Sequence, residues 1–531
     1  MMTTSAFEIL GPIMVGPSSS HTAGALRIAM VAKTLAPGKI KHARFILHNS
    51  FSDTYKGHGT DRALVAGLLG FSTFDTRVKD SFAFAQEAGM SFEFVEAQTD
   101  PGLHPNTVDI EMLCDEGSIS VRGESLGGGR IQLSSIDGVD VEISGEYPTL
   151  FVSHLDRPGV LARLTGILSR YKTNIATMKT YRKDKGGNAY TVFETDETPD
   201  QILLDEIRLA KDVHSVSFVK VPGASCAPSD SAFTLNFNNG AELLELCGSR
   251  HISIGQVMRQ REMELSSCED CPDTQMQEVL KVMEEECITT IMKPERSLGG
   301  LLYGQAKQVY DNNEKLSFPL MGDTLTKATA YAMATLERSS TMGIIVAAPT
   351  AGSADVVPGA LLAASQALEC GTEALIESLW TSCAVGAIIA RNASVSGAEG
   401  GCQAEVGTAA AMAAAALVEL MGGTPQQALS AASIAIANLL GLVCDPVRGL
   451  VEYPCQNRNV IGVAAAYTAA QLALSGVMNP IPFDEVVDAM RRVGSALPSA
   501  LRETAKGGLA TAPSAETATC SPCSGCLGCM S

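Results

Sequence analysis

Leu150-Phe151-Val152-Ser153-His154-Leu155-Asp156-Arg157-Pro158-Gly159 begins with a largely apolar run and closes on a turn. The run reads as a strand, and the turn leads into a helix with Val160, Leu161, Leu164, Ile167 and Leu168 on one face. Working outward, Asn174 to Arg182 and Ala189 to Glu194 read as two strands separated by a Gly186-Gly187 hairpin turn. A helix follows Pro199, and Val216 to Val221 is a last strand. Residues 146–221 therefore predict a unit of order β-α-β-β-α-β.

On the N-terminal side, residues 1–145 mix short strands, glycine turns and helices. Strand candidates are Ala43 to His48, Ser91 to Val95 and Ile131 to Leu133, and a helix starts near Ala23. This reads as an α+β domain. Residues 222–231, beginning Pro222-Gly223-Ala224-Ser225, read as a linker. Beyond it, residues 232–510 are helical in pattern and rich in Ala, Leu and Gly, which predicts tightly packed helices in an all-α domain. Residues 511–531 are expected to form a poorly ordered tail. The whole is an α+β chain of three domains and a tail.

A chain of 531 residues exceeds one ordinary core. Its 46% hydrophobic and 18% charged content marks it as globular. A net charge of −19 argues against nucleic acid or an anionic membrane as partner. Met1 to Ile9 lacks the basic and apolar regions of a secretory signal. Pro349, Asp355, Pro358, Glu405 and Glu419 interrupt the most apolar stretches, which read as buried helices rather than membrane spans. Fifteen cysteines without a signal point to a reducing compartment, expected to be the cytoplasm, and to thiols or metal ligands rather than disulfides.

Three of those cysteines stand in glycine-rich, charge-marked settings: Gly400-Gly401-Cys402-Gln403-Ala404-Glu405, Leu442-Val443-Cys444-Asp445-Pro446 and Tyr453-Pro454-Cys455-Gln456-Asn457-Arg458. Three thiolates are one short of a closed four-cysteine site, so a metal held by them keeps an open position for chemistry. The plainer reading is three buried thiols acting as small hydrophobes. Their spacing, 42 residues and then 11, matches no compact zinc motif.

Together with Ser394 to Cys402, Gly441 to Cys455 and Gly16-Pro17-Ser18-Ser19-Ser20-His21-Thr22-Ala23-Gly24-Ala25, these settings make the chain resemble the iron–sulfur-dependent L-serine ammonia-lyases, or L-serine dehydratases, over nearly its whole length. The Asp156-Arg157-Pro158-Gly159-Val160-Leu161 opening resembles ACT domains, whose β-α-β-β-α-β order is ferredoxin-like. The resemblance implies a [4Fe–4S] cluster on Cys402, Cys444 and Cys455, with one iron left for substrate, and no pyridoxal phosphate. It implies conversion of L-serine to pyruvate and ammonia through aminoacrylate, sensitivity to oxygen, an amino-acid effector at the ACT-like unit and a homodimer or larger assembly.

Removing the Cα proton calls for a neutral imidazole. His58 in Lys56-Gly57-His58-Gly59-Thr60-Asp61-Arg62 is the favoured base, and His21 is a substrate-binding or acid partner. Ser18, Ser19, Ser20 and Thr22 offer hydroxyls and amides for a carboxylate at a helix start, or ordinary N-capping of that helix. Thr341, Thr350 and Ser353 lie in a loop-like interruption of apolar sequence and are candidate substrate contacts, as is Asn392. Arg458 is a candidate carboxylate partner. Ser297, Gly299 and Lys307 are similar candidate contacts, Glu399 is expected to orient the cluster loop with Asn392, and His104, Asn106 and Gly127-Gly128-Gly129 are supporting and turn elements. Cys520, Cys523, Cys526 and Cys529 form a tail that is inert, binds a second metal or caps the cluster, and Cys268 and Cys271 add another thiol pair. The rival readings are an amino-acid sensor, a lyase acting on threonine or cysteine, and a zinc hydrolase.

Overall fold

The computed structural model describes residues 4–127, 129–143, 148–182, 184–196, 198–219, 234–266, 271–316 and 320–518. Gly128, the expected linker at 222–231, Cys268 and the four tail cysteines lie outside those residues. The chain divides into two compact units, one of Ser20–Ser52 and Thr60–Pro228, the other of Met1–Ser19, Asp53–Gly59 and Ser229–Ser531.

The first unit carries two sheets. In the larger, the strand order is Ser91–Glu96, Ile40–Leu47, Thr107–Cys114, Gly117–Gly127, Arg130–Ile136 and Val139–Ile143. The first pair is parallel and the others are antiparallel. Helix Ala25–Leu35 lies against this sheet at Gly123, where a Cβ would meet the Ile28 side chain at 2.3 Å. Helix Thr60–Leu69 crosses it at Gly67, where a Cβ would stand 2.4 Å from the Leu26 carbonyl oxygen. Both contacts demand glycine, because a side chain there overpacks the crossing.

The smaller sheet has the order Val213–Val219, Thr149–Leu155, Asn188–Thr195 and Ile175–Arg182, all antiparallel. Helices Val160–Arg170 and Gln201–Arg208 close its core, in which Leu150, Val152, Leu164, Phe193, Leu203 and Ile207 are buried. The last strand begins at Val213, ahead of the Val216 expected, because a left-handed Asp212 (φ 68°) turns the chain straight into it. The two sheets are joined by Tyr190 Oη donating to Asp137 at 3.3 Å, by the Glu142 amide donating to Tyr181 Oη at 3.2 Å, and by a Lys179–Glu142 ion pair.

The second unit is a helical body around one large core. Its alanine-rich helix Thr408–Leu420 is buried through Val418. Small residues permit close approach: a Cβ on Gly359 would lie 2.8 Å from Ala332 Cβ. Helix Thr372–Asn392 is long and apolar enough to cross a membrane by length and composition, yet 72% of that window is buried inside the protein. The body is not purely helical. Strand Ile13–Val15 pairs antiparallel with Ile344–Val346. Helix Ala6–Ile9 is anchored by Glu262, which accepts from Ser5 Oγ at 2.5 Å and the Ala6 amide at 2.8 Å. These bonds are why residues 4–19 pack here rather than within an N-terminal 1–145 domain. Of the expected loose tail, Ala512, Ala515 and Ala518 pack with Leu301, Val447 and Leu450.

Phe193→Ala should cost the smaller sheet about 3–5 kcal/mol. Hydrogen exchange of the amides between 149 and 219 should accelerate accordingly, with amides of the helical body unchanged.

Candidate active site

The three motif cysteines meet in the helical unit. Cys402 follows Gly401, whose φ of 74° turns the chain into the π-helical segment Gln403–Gly407. Gln403 fastens this turn to the Cys444 loop: its backbone N–H donates to the Leu442 carbonyl at 2.9 Å, and its side-chain oxygen accepts from the Gly441 amide at 2.9 Å. Cys444 pairs in a parallel bridge with Arg502. Cys455 opens helix Cys455–Leu474.

Two buried carboxylates brace the approach to Cys455. Glu452 accepts from Ser297 Oγ at 2.8 Å and from the Gly299 and Leu301 amides at 2.7 and 2.9 Å. Glu337 accepts from the Gly304 and Ala306 amides and from Gln456 Nε2 at 3.2 Å. Burial pushes both carboxyls above the usual range.

Ser18, His58, Cys402, Glu405, Cys444 and Cys455 line one cavity, with about 400 Å³ of empty volume. Cys402 Sγ, Cys444 Sγ and a Glu405 carboxylate oxygen all lie within 4.8 Å of one another. The hydrogen bond from Cys444 holds the Cys402 thiol below its ordinary value, helped by Arg458. The same bond raises Cys444, and burial raises Cys455. Arg458 Nη1 donates to Asp445 Oδ1 at 2.5 Å and to the Val443 carbonyl at 2.8 Å, and stands 4.0 Å from Cys402 Sγ. Its carboxylate partner is thus Asp445. Asp445 also accepts from the Leu509 amide at 2.6 Å, and a Cβ on left-handed Gly508 (φ 60°) would fall 2.1 Å from its Oδ2.

His58 is fully buried. Its Nδ1 is 3.2 Å from the Thr54 carbonyl, and its Nε2 is 3.6 Å from Glu503 Oε1. A carbonyl only accepts, so that contact selects the tautomer with the proton on Nδ1 and the lone pair on Nε2. Glu405 is held by Thr350 Oγ1 at 2.8 Å, which also contacts Ser353 Oγ at 3.2 Å. Burial drives the Glu405 carboxyl well above its ordinary range. Gly352 and Gly397 make room for it, because a Cβ at either would lie 2.8 or 2.7 Å from a Glu405 oxygen. Ser19 Oγ accepts from the Ala351 amide at 2.7 Å and so supports the 350–353 turn.

The structure thus gathers Ser18, His58 and the three cysteines around one cavity, with Thr350, Ser353 and Arg458 behind its wall through Glu405 and Cys402. Thr341, Asn392 and Lys307 make other contacts. Thr341 Oγ1 donates to the Arg338 carbonyl at the end of helix Gly322–Ser340. Asn392 is exposed and donates to the Asn238 and Ile388 carbonyls. Lys307 forms a surface pair with Asp311. His21 belongs to the other unit, where its ring nitrogens bond Ser20 Oγ and Ser50 Oγ, each at 2.9 Å, with Thr22 buried beside it in sequence. The helix Ala25–Leu35 is capped by Gly24 without a side-chain bond, so the serines do not cap it. Glu405 was within reach of sequence reasoning, since it shares the Cys402 motif. Glu503 carried no such signal, standing in Leu501-Arg502-Glu503-Thr504 far beyond the last motif cysteine.

Residues 249–510 match the family described as serine dehydratase alpha chain, residues 5–135 the serine dehydratase beta chain, and residues 148–208 the ACT domain. A protein of Streptomyces coelicolor named L-serine dehydratase is 32% identical over 522 residues, covering 96% of this chain and 99% of its own. Two Bacillus subtilis proteins match in parts. One, named a probable L-serine dehydratase alpha chain, is 47% identical over 52% of this chain and 92% of its own. The other, named a probable beta chain, is 40% identical over 39% of this chain and 94% of its own.

Gly508→Ala should cost about 1–3 kcal/mol through the left-handed backbone and the Asp445 clash. The checks are a lower denaturation midpoint and faster exchange of the Leu509 amide, whose bond to Asp445 is lost.

Proposed function

The chain belongs to the L-serine dehydratase family, whose members are carbon–nitrogen lyases, and we propose that it converts L-serine to pyruvate and ammonia with a [4Fe–4S] cluster on Cys402, Cys444 and Cys455. The observation that carries this reading is the donor set. Three buried thiols share a cavity with two carboxylates, against one guanidinium and one imidazole. Such a thiol-rich cavity suits a cationic, thiophilic group, whose charge would favour the thiolate forms that burial disfavours. Bound by three thiolates, a cluster with an open coordination position supplies Lewis acidity toward the substrate hydroxyl.

The protein's own groups do the rest. His58 takes the Cα proton on Nε2, its tautomer set by the Thr54 carbonyl. Departure of the β-hydroxyl then leaves 2-aminoacrylate, which tautomerises to the imine and is hydrolysed to pyruvate and ammonia. Glu405, fixed by Thr350, is an acceptor for the substrate ammonium, and Ser18 is a hydroxyl contact for its polar end, while Ser353 supports Thr350. The Cys444 hydrogen bond, helped by Arg458, lowers the Cys402 thiol, and Asp445 holds that guanidinium in place. The ACT domain is the place for a small-molecule effector.

Anaerobically purified protein should release pyruvate from L-serine and carry a broad visible absorption that air bleaches along with the activity. Cys402→Ser, Cys444→Ser and Cys455→Ser should each lose iron and turnover. His58→Asn should keep its iron and lose about 10²–10⁴-fold in kcat. Air-stable activity, or zinc in place of iron, overturns the cluster reading.

A further inference from the structure

We propose that Glu503 is a positioning residue that holds His58 for proton removal and ties that base to the thiolate site through the main chain of Cys444. The inference rests on the reading of His58 as the base.

Glu503 Oε1 lies 3.6 Å from His58 Nε2, with the imidazole fully buried and the carboxylate side chain 10% exposed. A proton arriving on Nε2 creates an imidazolium facing this carboxylate, with both side chains buried. Opposite charges at that separation favour the charged form far more than they do in water. In hydrolases a carboxylate stabilises the catalytic imidazolium from the opposite ring nitrogen; here Glu503 faces the nitrogen that receives the proton.

The backbone shows how Glu503 is placed. Its φ of 56° is left-handed, a conformation a glutamate adopts only when its surroundings impose it. Those surroundings are the ligand loop: the Cys444 amide donates to the Leu501 carbonyl and the Glu503 amide to the Cys444 carbonyl, each at 2.9 Å. Lys506 pairs with Asp53 at 2.6 Å, fastening the following turn to the segment that carries His58. On the histidine side, a Cβ on Gly57 would lie 2.4 Å from the Gly449 carbonyl oxygen. Both partners of the His58–Glu503 pair are therefore fixed to the cysteine-bearing loops. A displacement at Cys444 moves Glu503 with it.

The test uses the anaerobically assembled full-length enzyme and Glu503→Gln, comparing L-serine with its Cα-deuterated form. Iron per chain and visible absorption should match wild type, and KM should change by less than about threefold. The kcat should fall about 10²–10³-fold, and the deuterium isotope effect should rise as proton removal becomes rate-limiting. A merely structural role would not raise the isotope effect. Wild-type kcat, or a fallen kcat with an unchanged isotope effect, overturns the proposal. Should Glu503→Gln lose iron, Glu503→Asp decides, because it keeps the charge but withdraws it from Nε2. A raised isotope effect at full iron supports the proposal, and wild-type behaviour sinks it. Loss of turnover in His58→Asn beside wild-type Glu503 variants removes this inference alone. Turnover that survives His58→Asn removes the reading of His58 as well.

Discussion

Gathering three thiols and two carboxylates in one buried cavity is the constraint on which the helical unit depends. Acidic groups out of water lose hydration and are costly to ionise side by side, so such a cavity persists only if its walls are held from outside. The walls are held by polar bonds that reach around the cavity. Arg458 and Asp445 join the Cys402 and Cys444 loops to the 508–509 turn. Glu452 and Glu337 do the same for the approach to Cys455. Each of these carboxylates accepts backbone amides, which satisfies the loops' own donors and leaves the thiols to face inward.

The short ribbon of Ile13–Val15 on Ile344–Val346 has a part out of proportion to its length. One strand runs directly into Pro17 and Ser18, and the other into the Pro349–Ser353 turn. Pairing the two strands therefore brings two distant polar segments to the same cavity wall, and the Ser19–Ala351 bond completes the link. Beneath them, glycine and alanine at the helix crossings keep the core close-packed, so the wall stands on a rigid support.

The compact units do not follow the division seen among relatives. In Bacillus subtilis, separate proteins match the alpha-like and beta-like regions of this chain. Here Met1–Ser19 and Asp53–Gly59, largely within the beta-chain match, pack with the helical body that contains the alpha-chain match. The imidazole and the first serine of the cavity thus come from one matched region, and the thiols from the other.

By itself the sequence determined what is periodic or locally punctuated. The alternation and turn residues of 150–195 specify the β-α-β-β-α-β unit, and the glycines before Cys402 and Cys444 and the proline before Cys455 mark breaks in the chain there. The family was legible for the same reason, since its motifs are contiguous runs. The tertiary structure alone decided which distant groups meet. Asp445 rather than a substrate carboxylate takes Arg458, because the two lie across a turn that no local pattern announces. Thr341 and Asn392 stand in stretches that read as active-site loops, yet both end helices and bond to backbone carbonyls instead. Glu503 shows the limit most clearly. Its partner His58 lies hundreds of residues away, and only a main-chain ladder on Cys444, formed after the loops fold, brings a carboxylate to an imidazole that needs one.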